Sequence, residues 1–387
     1  MPNDPQIIAA RFVRRLALFY VALFVSIGIQ LPFFPLWLEA KGLDAGMIGL
    51  VLAAPMVVRL FAIPIATRLA DKRQALWITI VAAAGGAALG TIALGFTEGG
   101  LAILLVFALA SVPFTTIMPV AEAYALRGLA QIGRAYGPVR LWGSAAFMAG
   151  SLGAGWIIDS IAPGNLIWLI AAAMLATTVA AAGLIPPRRR PPMPEKPEPS
   201  YQGFLRTPGF AAVAAAAGLI QASHAVYYGF SALDWKAAGM DGTAVGALWA
   251  VGVAAEITLF ALSGRLPLWL GSTALLVAGA LGAMLRWGVM ALDPPTAALP
   301  VLQCLHGLSF GATHLGAVGF VARAAPPGRA ATAQGSLAVM LGGTMALSMG
   351  LSGWLYENFG GQAYAGMALM AGAGSLCALI AWQRRGL

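Results

Sequence analysis

The feature that most constrains this chain is a series of long apolar stretches that follow one another along almost its whole length. A helix that crosses the hydrocarbon core of a bilayer needs about 20 apolar residues. Hydrophobic residues make up 60% of the chain and charged residues only 10%, which leaves too little polar surface for a soluble globule of 387 residues. The sequence therefore predicts an all-α membrane protein. The predicted spans are 16–38, 45–67, 76–97, 101–125, 137–159, 164–186, 208–232, 243–263, 271–291, 297–322, 331–356 and 362–383.

The positions of the basic residues decide what the net charge of +9 means. With the N-terminus placed in the cytoplasm, 19 of the 23 Lys and Arg residues fall at the cytoplasmic ends of the spans. Only Lys41 and Lys236 fall in loops on the opposite side. This is the positive-inside pattern, so we expect both termini in the cytoplasm and no binding to nucleic acid. The first residues show no small-residue cleavage site, and we expect no removable signal peptide.

A long polar break divides the twelve predicted spans into six and six. Residues 187–207 contain several prolines and the triplet Arg188-Arg189-Arg190, a composition typical of an extended, solvated linker. The predicted organisation is an N-terminal six-helix bundle, 1–186, the cytoplasmic linker, 187–207, and a C-terminal six-helix bundle, 208–387.

An internal repeat relates the two predicted bundles at an offset of 197 residues. Matches of Asp and Arg in one register are rarer in this composition than matches of Gly or Leu, so they favour a duplication. Both halves carry the same charge bias, which predicts parallel repeats about an axis normal to the membrane. The residues Gly42, Asp44, Gly49, Arg68 and Leu69 match Gly239, Asp241, Gly246, Arg265 and Leu266.

The loop after the second span, Thr67-Arg68-Leu69-Ala70-Asp71-Lys72-Arg73, resembles the Gly-x-x-x-Asp-Arg-type signature of the major facilitator superfamily. Thr67 stands where glycine is usual, and the corresponding Gly264-Arg265-Leu266 keeps the glycine but lacks the aspartate. The chain resembles this superfamily over essentially its full length. The resemblance implies the major facilitator fold, 12 transmembrane helices in two pseudo-symmetric six-helix bundles, in the bacterial inner membrane. It also implies a cytoplasmic gate that comprises Arg68, Asp71, Arg73 and Arg265.

Ionisable residues inside spans are costly, and each is a candidate functional residue. Glu122 and Arg140 flank the connection between the fourth and fifth spans, where they could pair with each other and bind a polar solute, or form a purely structural ion pair. Their context is similar to the substrate-binding acid and arginine of lactose-permease-like sugar symporters. The run from Tyr136 to Ser144 resembles the phenylpropionate-permease-like branch. Phe147, further along the fifth span, could stack on a ring of the ligand.

A second group of ionisable residues lies mainly in the C-terminal half. Arg59 and Glu256 match at the repeat offset and therefore lie at the same depth of their halves. Glu256 is a candidate for proton coupling, because a buried carboxylate takes up a proton when it loses its partner; a structural pair of Glu256 with Arg286 is the alternative. Arg286 and His306 resemble the proton-coupling network of the sugar symporters, but Ser309 stands where those proteins carry a carboxylate. The sequence leaves Glu256, Glu122 or His306 as the titrating group, or no proton coupling.

Several other polar residues are candidates for lining a substrate cavity. His224, Tyr227 and Tyr228 share one face of the seventh span, and Gln30 lies near the outer end of the first. Interfacial residues facing lipid would show the same pattern. No metal-ligand spacing and no nucleophile with a base is present, so we expect no metal, no cofactor and no enzymatic activity.

The predicted function is secondary active transport by alternating access, as a proton symporter that imports a small organic solute. The excess of arginine over carboxylate at the predicted site favours an anion such as an aromatic carboxylate. The alternatives are a sugar or nucleoside proton symporter and a proton-driven exporter of lipophilic compounds. The expected partners are the small-molecule substrate, protons and the lipid bilayer, and we expect a monomer.

Overall fold

The structure is a computed structural model that describes residues 5–72, 75–185, 205–265, 267, 270–326 and 330–383. This part of the chain contains fourteen α-helices and no β-strand. The helices are α1 (Pro5–Ala40), α2 (Ala45–Lys72), α3 (Leu76–Gly95), α4 (Gly100–Gln131), α5 (Gly137–Ile158), α6 (Leu166–Ala182), α7 (Pro208–Ala222), α8 (Ala225–Ala237), α9 (Gly242–Leu262), α10 (Ser272–Met290), α11 (Leu299–Cys304), α12 (Thr313–Ala324), α13 (Ala330–Phe359) and α14 (Ala363–Gln383).

The described residues form eleven helical stretches that are long and apolar enough to cross a membrane. The last stretch, Ala333–Gln383, has 51 residues and contains both α13 and α14, separated by the 3-10 turn Gly360–Gln362. At 1.5 Å per residue it would extend over about 75 Å as one helix, more than twice the roughly 30 Å of a bilayer core. The number of twelve spans stays a prediction, and its last two windows correspond to these two helices.

Two of the predicted spans are not uninterrupted α-helices. The seventh is divided at Ser223 and His224 into α7 and α8. The tenth contains a π-helical segment, Gly307–Ala312, that leads into α12. Short π segments inside α-helices are frequent at functional sites. Both irregularities lie in the half that carries the second group of candidate residues.

The repeat at 197 residues has a structural counterpart at the start of two helices. Gly42 and Gly239 both have positive φ, 78° and 87°, a conformation that suits glycine because it has no Cβ. Asp44 then accepts a hydrogen bond from the backbone N–H of Met47 at 2.7 Å, and Asp241 accepts one from Ala244 at 2.6 Å. The matched residues therefore make the same glycine turn and the same N-terminal cap at the starts of α2 and α9.

Contacts divide the chain into two compact units. The first unit contains α1 to α6 and the segment Trp235–Ala250. Its core includes Phe12 and Tyr124, whose rings stack with centroids 5.5 Å apart. Helices α1 and α5 approach closely, since a Cβ added at Gly150 would come within 2.7 Å of the carbonyl oxygen of Val25. Small residues permit such close packing of helices in lipid.

The second unit contains α7, most of α8, the part of α9 from Val251 onward, and α10 to α14. Its core joins α7, α10, α12 and α13 through buried side chains such as Phe210, Leu276, Val321 and Leu337. The predicted boundaries at 186 and 208 follow from the repeat and the polar break. They remain a proposal, and most of the predicted linker lies outside the described residues.

The end of α5 and the start of α9 pack tightly within the first unit. A side chain at Gly246 would collide with the carbonyl oxygen of Ser151, and Ser151 donates a hydrogen bond to the carbonyl of Gly246 at 3.2 Å. Directly after α5, both carboxylate oxygens of Asp159 accept the N–H of Gly242, at 2.9 and 2.8 Å. Lys236 also donates to Asp159 at 2.9 Å. One carboxylate therefore caps a helix to which it does not belong.

Asp159 lies outside the membrane-spanning segment and is charged at neutral pH. Partial burial acts to raise the pKa of this carboxyl. The hydrogen bonds from Lys236 and from the backbone of Gly242 outweigh that effect and hold the pKa below its ordinary value.

Candidate functional site

Ten polar and aromatic residues of the second unit form one connected group, which we call the Arg286 cluster. They are contributed by the break between α7 and α8, by α8, α9 and α10, and by the irregular segment around α11 and α12. The members are Ser223, His224, Tyr227, Tyr228, Glu256, Arg286, Trp287, Gln303, His306 and Ser309.

The break between α7 and α8 places His224 in this cluster. Interrupting a helix in a membrane leaves carbonyl groups without backbone partners, and each such group is costly in hydrocarbon. Three side chains supply the missing hydrogen bonds. Ser223 donates to the carbonyl of Ile220 at 2.6 Å, Ser348 donates to Ala222 at 2.8 Å, and His224 Nδ1 lies 3.2 Å from the carbonyl of Ile220. The break is therefore stabilised by the side chains around it.

These bonds assign the tautomer of His224. A carbonyl oxygen only accepts, so Nδ1 carries the proton, and the other nitrogen of a neutral imidazole is then an acceptor. Ser309 Oγ lies 3.0 Å from His224 Nε2 and is positioned to donate to it. Both residues are completely buried. Ser309, which the sequence identified only as a missing carboxylate, is the hydrogen-bond partner of His224.

The π-helical segment brings Ser309 to this position. It begins directly after His306 and adds a residue to a turn, which rotates the following side chains relative to a regular helix. Thr313 donates to the carbonyl of Ser309 at 2.8 Å and so satisfies one backbone group of the irregular turn.

Arg286 on α10 is completely buried. Its guanidinium donates to His306 Nδ1 at 3.1 Å and to the side-chain oxygen of Gln303. It also lies over the rings of Tyr227 and Trp287, 4.5 and 4.4 Å from their centroids. Among the described residues, no carboxylate forms an ion pair with it within 4.0 Å. Cation–π contacts and neutral acceptors thus compensate for the buried charge.

His306 lies between Arg286 and Glu256. A guanidinium has only N–H donors, so His306 Nδ1 must accept, and the proton of the neutral ring is on Nε2. That nitrogen faces Glu256 Oε2 at 3.6 Å. A direct pair of Glu256 with Arg286 was one of the two predicted alternatives. In the structure His306 lies between these two residues and contacts both. The Glu256 side chain is 21% exposed, which makes it the most exposed of these three residues.

Aromatic residues hold the cluster in place. Trp287 donates its indole N–H to Ser223 Oγ at 2.9 Å and stacks on Tyr364 with ring centroids 5.6 Å apart. The rings of His224 and His306 are 5.4 Å apart, and Tyr228 lies 5.6 Å from His224. The structure therefore brings together the predicted residues of the seventh, eighth, ninth and tenth spans.

Sequence reasoning did not identify Ser223, Trp287 and Gln303 as members of this cluster, nor Tyr364 as a residue that packs against it. Gln303 had a usable signal, because an amide inside an apolar span requires a partner, and it precedes His306 by three residues on the same side of the helix. Ser223 and the two aromatic residues had none, since their role depends on the helix break.

The first unit holds the other predicted pair. Glu122 accepts a hydrogen bond from Tyr136 at 3.4 Å, and Arg140 lies over the ring of Phe24, 4.1 Å from its centroid. Both charged residues are half-buried. They form no ion pair with each other within 4.0 Å in the described part of the chain. The guanidinium of Arg140 is thus flanked by an aromatic ring and is not neutralised by Glu122.

The remaining predicted residues lie apart from these groups. Phe147 is buried, with its backbone against Gly28, and Gln30 is half-buried. The guanidinium of Arg59, also half-buried, lies 3.7 Å from the sulfur of Met56. Of the predicted cytoplasmic gate, Arg68 and Arg265 are exposed, whereas Arg73 and the side chain of Asp71 lie outside the described residues.

Comparison with known proteins decides the family. Residues 13–365 match the family described as "MFS_1 like family". The chain belongs to the major facilitator superfamily. It is 33% identical over 374 residues to a protein of Escherichia coli (strain K12) described as a "Probable 3-phenylpropionic acid transporter", covering 92% of this chain and 95% of that protein. It is 25% identical over 346 residues to the maltose permease of Geobacillus stearothermophilus, covering 89% and 86% of the two chains.

Solved structures show the same fold. A variant of the nucleoside transporter NupG superposes with a TM-score of 0.82 at 17% identity, covering 96% of this chain and 99% of that one. A bacterial homologue of the human lysosomal transporter Spinster gives 0.71 at 15% identity, covering 97% and 96%. The predictions of a major facilitator fold and of a multi-pass membrane transporter that is not an enzyme are confirmed.

Proposed function

We propose that this transporter is a proton symporter that imports a small aromatic carboxylate by alternating access. The observation that carries the substrate class is the environment of Arg140. Its half-buried guanidinium lies against Phe24 and has no ion pair with a carboxylate in the described part of the chain. A carboxylate ligand would supply that ion pair, and its ring would meet an aromatic surface. A relative of 33% identity, described as a probable transporter of 3-phenylpropionic acid, supports the same class.

We further propose that Glu256, His306 and Arg286 couple transport to protons. Glu256 is partly accessible, and its carboxylate faces the N–H of His306, which in turn accepts from the buried Arg286. Protonation of Glu256 would remove its negative charge and weaken the attraction between Glu256 and His306. Protonated and deprotonated forms would then favour different arrangements of the cluster, which is the requirement for coupling.

The same proposal includes the membrane in which the protein lies and its orientation there. The positive-inside distribution of Lys and Arg supports an inner-membrane location with both termini in the cytoplasm. It also supports a cytoplasmic position for Arg68, Asp71, Arg73 and Arg265 as gate residues.

A sugar is the second candidate substrate, favoured by the 25% identity to a maltose permease. A neutral sugar needs hydrogen-bond donors and acceptors, which a guanidinium or an amide can supply, but no positive charge. Its transport should therefore depend much less on the charge of Arg140 than transport of a carboxylate does.

Uptake into proteoliposomes tests the substrate. Wild type is expected to accumulate labelled 3-phenylpropionate when the outside is acidic, and Arg140→Gln should lose binding, whereas Arg140→Lys should retain part of it. Arg11→Gln is the matched control, because Arg11 is an exposed arginine of α1. Binding of phenylpropionate by Arg140→Gln at the wild-type level would refute the carboxylate proposal, and uptake of maltose instead would favour the sugar.

Glu256→Gln tests the coupling. This variant keeps the size and hydrogen-bonding capacity of the side chain but cannot take up a proton. We expect it to exchange labelled for unlabelled substrate without responding to a pH gradient, whereas the exposed control Glu357→Gln should respond like wild type. Equal stimulation of wild type and Glu256→Gln would exclude Glu256 as the coupling residue.

A further inference from the structure

The first unit contains a groove between α1 and α5 that none of the proposed transport steps uses. Its volume is about 740 Å³, within the roughly 300–1,000 Å³ typical of small-molecule sites. The walls are largely apolar and include Leu18, Val21 and Trp142. Two arginines, Arg14 and Arg134, complete the lining.

The apolar wall of the groove faces outward from the helix pair. Leu18 is 57% exposed and Trp142 is 59% exposed, so neither side chain is covered by the protein's own packing. Surfaces of this kind are stable only against lipid or another apolar ligand. A tryptophan near the start of a span is also typical of the membrane interface.

The two arginines lie at one end of this wall. Arg14 is near the start of α1, and Arg134 is in the connection that precedes α5. Both are exposed, and neither side chain has a hydrogen-bond or ion-pair partner in the part of the chain that the structure describes. Both belong to the basic residues that the charge pattern assigns to the cytoplasmic side.

We propose that this groove binds an anionic phospholipid. The headgroup phosphate would lie between Arg14 and Arg134, and an acyl chain would cover Leu18, Val21 and Trp142. Arginine binds phosphate oxygens through paired N–H donors, and basic pockets between membrane helices on the cytoplasmic side suit anionic headgroups. A phospholipid fits the groove better than a small solute does, because its headgroup would reach the two arginines while its acyl chain covers the exposed apolar wall. This site is independent of the proposed substrate and of proton coupling.

Quenching of Trp142 by brominated lipids tests the proposal. The purified full-length protein is reconstituted into phosphatidylcholine vesicles that contain a fixed small fraction of either brominated phosphatidylglycerol or brominated phosphatidylcholine. The emission of Trp142 is obtained as the difference between wild type and Trp142→Phe. Basic residues near a membrane surface each strengthen binding of anionic lipid by about fivefold, so two predict a preference for phosphatidylglycerol on the order of 25-fold.

Substitutions of the two arginines distinguish binding at this groove from general contact with lipid. Arg14→Gln with Arg134→Gln should reduce the preference to near one, whereas Arg14→Lys with Arg134→Lys should keep most of it. Arg11→Gln is the matched control, an exposed arginine of the same helix that does not line the groove. Circular dichroism confirms that each variant is folded.

Three outcomes would overturn the proposal. The first is equal quenching by both lipids in wild type, which would show ordinary lipid contact only. The second is an unchanged preference in the double glutamine variant. The third is protection of Trp142 by 3-phenylpropionate without any lipid preference, which would make the groove a solute site.

Discussion

Replacing Asp159 with alanine is expected to release the start of α9 from the end of α5. Asp159 accepts the backbone N–H of Gly242 with both carboxylate oxygens and also pairs with Lys236. Alanine removes all three contacts, and the first turn of α9 loses an acceptor for its N–H groups. Asparagine should have a smaller effect, because it keeps an oxygen that can accept the N–H but loses the charge.

The free energy lost in Asp159→Ala can be worked out from the two kinds of contact that Asp159 makes. A charge-assisted cap of a helix N-terminus is worth about 1.5 kcal/mol. The pair with Lys236 adds only about 0.5 kcal/mol, because both side chains are about one-third exposed, 31% and 34%, and solvent screens their attraction. Together they amount to about 2 kcal/mol, which corresponds to roughly a 30-fold change in the population of the opened contact.

Labelling of a buried cysteine measures that population. Ser151 is completely buried at the contact with Gly246, so Ser151→Cys reacts with a maleimide only when α5 and α9 separate. The chain has two cysteines, and the exposed Cys304 and the partly buried Cys377 are first replaced by alanine. Adding Asp159→Ala should raise the labelling rate on the order of 30-fold if opening limits the reaction.

Asp44→Ala is the matched control. Asp44 caps α2 through Met47 at 2.7 Å, with the same chemistry but within its own helix. Its loss should leave labelling at position 151 unchanged. An unchanged rate in Asp159→Ala, or an equal increase in Asp44→Ala, would show that the cap does not hold the two helices together.

Two further substitutions test the packing of each unit. Ser309→Ala leaves Nε2 of His224 buried without its donor, which should destabilise the protein by about 1–3 kcal/mol and lower the thermal unfolding midpoint. Gly246→Val places a side chain against the carbonyl of Ser151, and the resulting overpacking should cost about 1–3 kcal/mol or more, visible as a lower midpoint and a lower yield of folded protein.

Each of these has a control in the same protein. Thr97→Ala removes the hydroxyl of a partly exposed threonine just after α3, which donates to the carbonyl of Ala93 at 2.8 Å, and it should change stability little. If Thr97→Ala lowers the unfolding midpoint as much as Ser309→Ala does, the hydrogen bond to His224 contributes no more to stability than the Thr97 hydroxyl does. Gly350→Val adds a side chain where an added Cβ would meet nothing within 4 Å. Equal losses at Gly246 and Gly350 would mean that helix propensity, not the collision, is responsible.

The repeat shows how much local chemistry the sequence contains. A glycine turn followed by an aspartate cap depends on a few adjacent residues, so the residues matched by the repeat, Gly42 with Gly239 and Asp44 with Asp241, form equivalent helix starts. The apolar windows predicted the helices for a similar reason. A bilayer offers no hydrogen-bond partners, so a spanning segment must satisfy its backbone internally, and about 20 apolar residues suffice to identify it.

The contacts between charged residues could not be predicted in the same way. Adjacency of the fourth and fifth spans suggested that Glu122 and Arg140 could pair, yet Arg140 lies over Phe24 and Glu122 accepts from Tyr136. Antiparallel neighbours bring two helices together without specifying which faces meet. A rotation of one residue, about 100° around a helix, changes the partner of a side chain.

The sequence by itself determined an all-helical membrane protein with an internal repeat, and it identified most of the polar residues that matter. Only the tertiary structure decided that His306 lies between Glu256 and Arg286 and that Ser309 bonds to His224. The break between α7 and α8 places His224, and the π-helical turn after His306 places Ser309. Both irregularities depend on partners from other helices, such as Ser348 for the carbonyl of Ala222, and no short stretch of sequence contains that information.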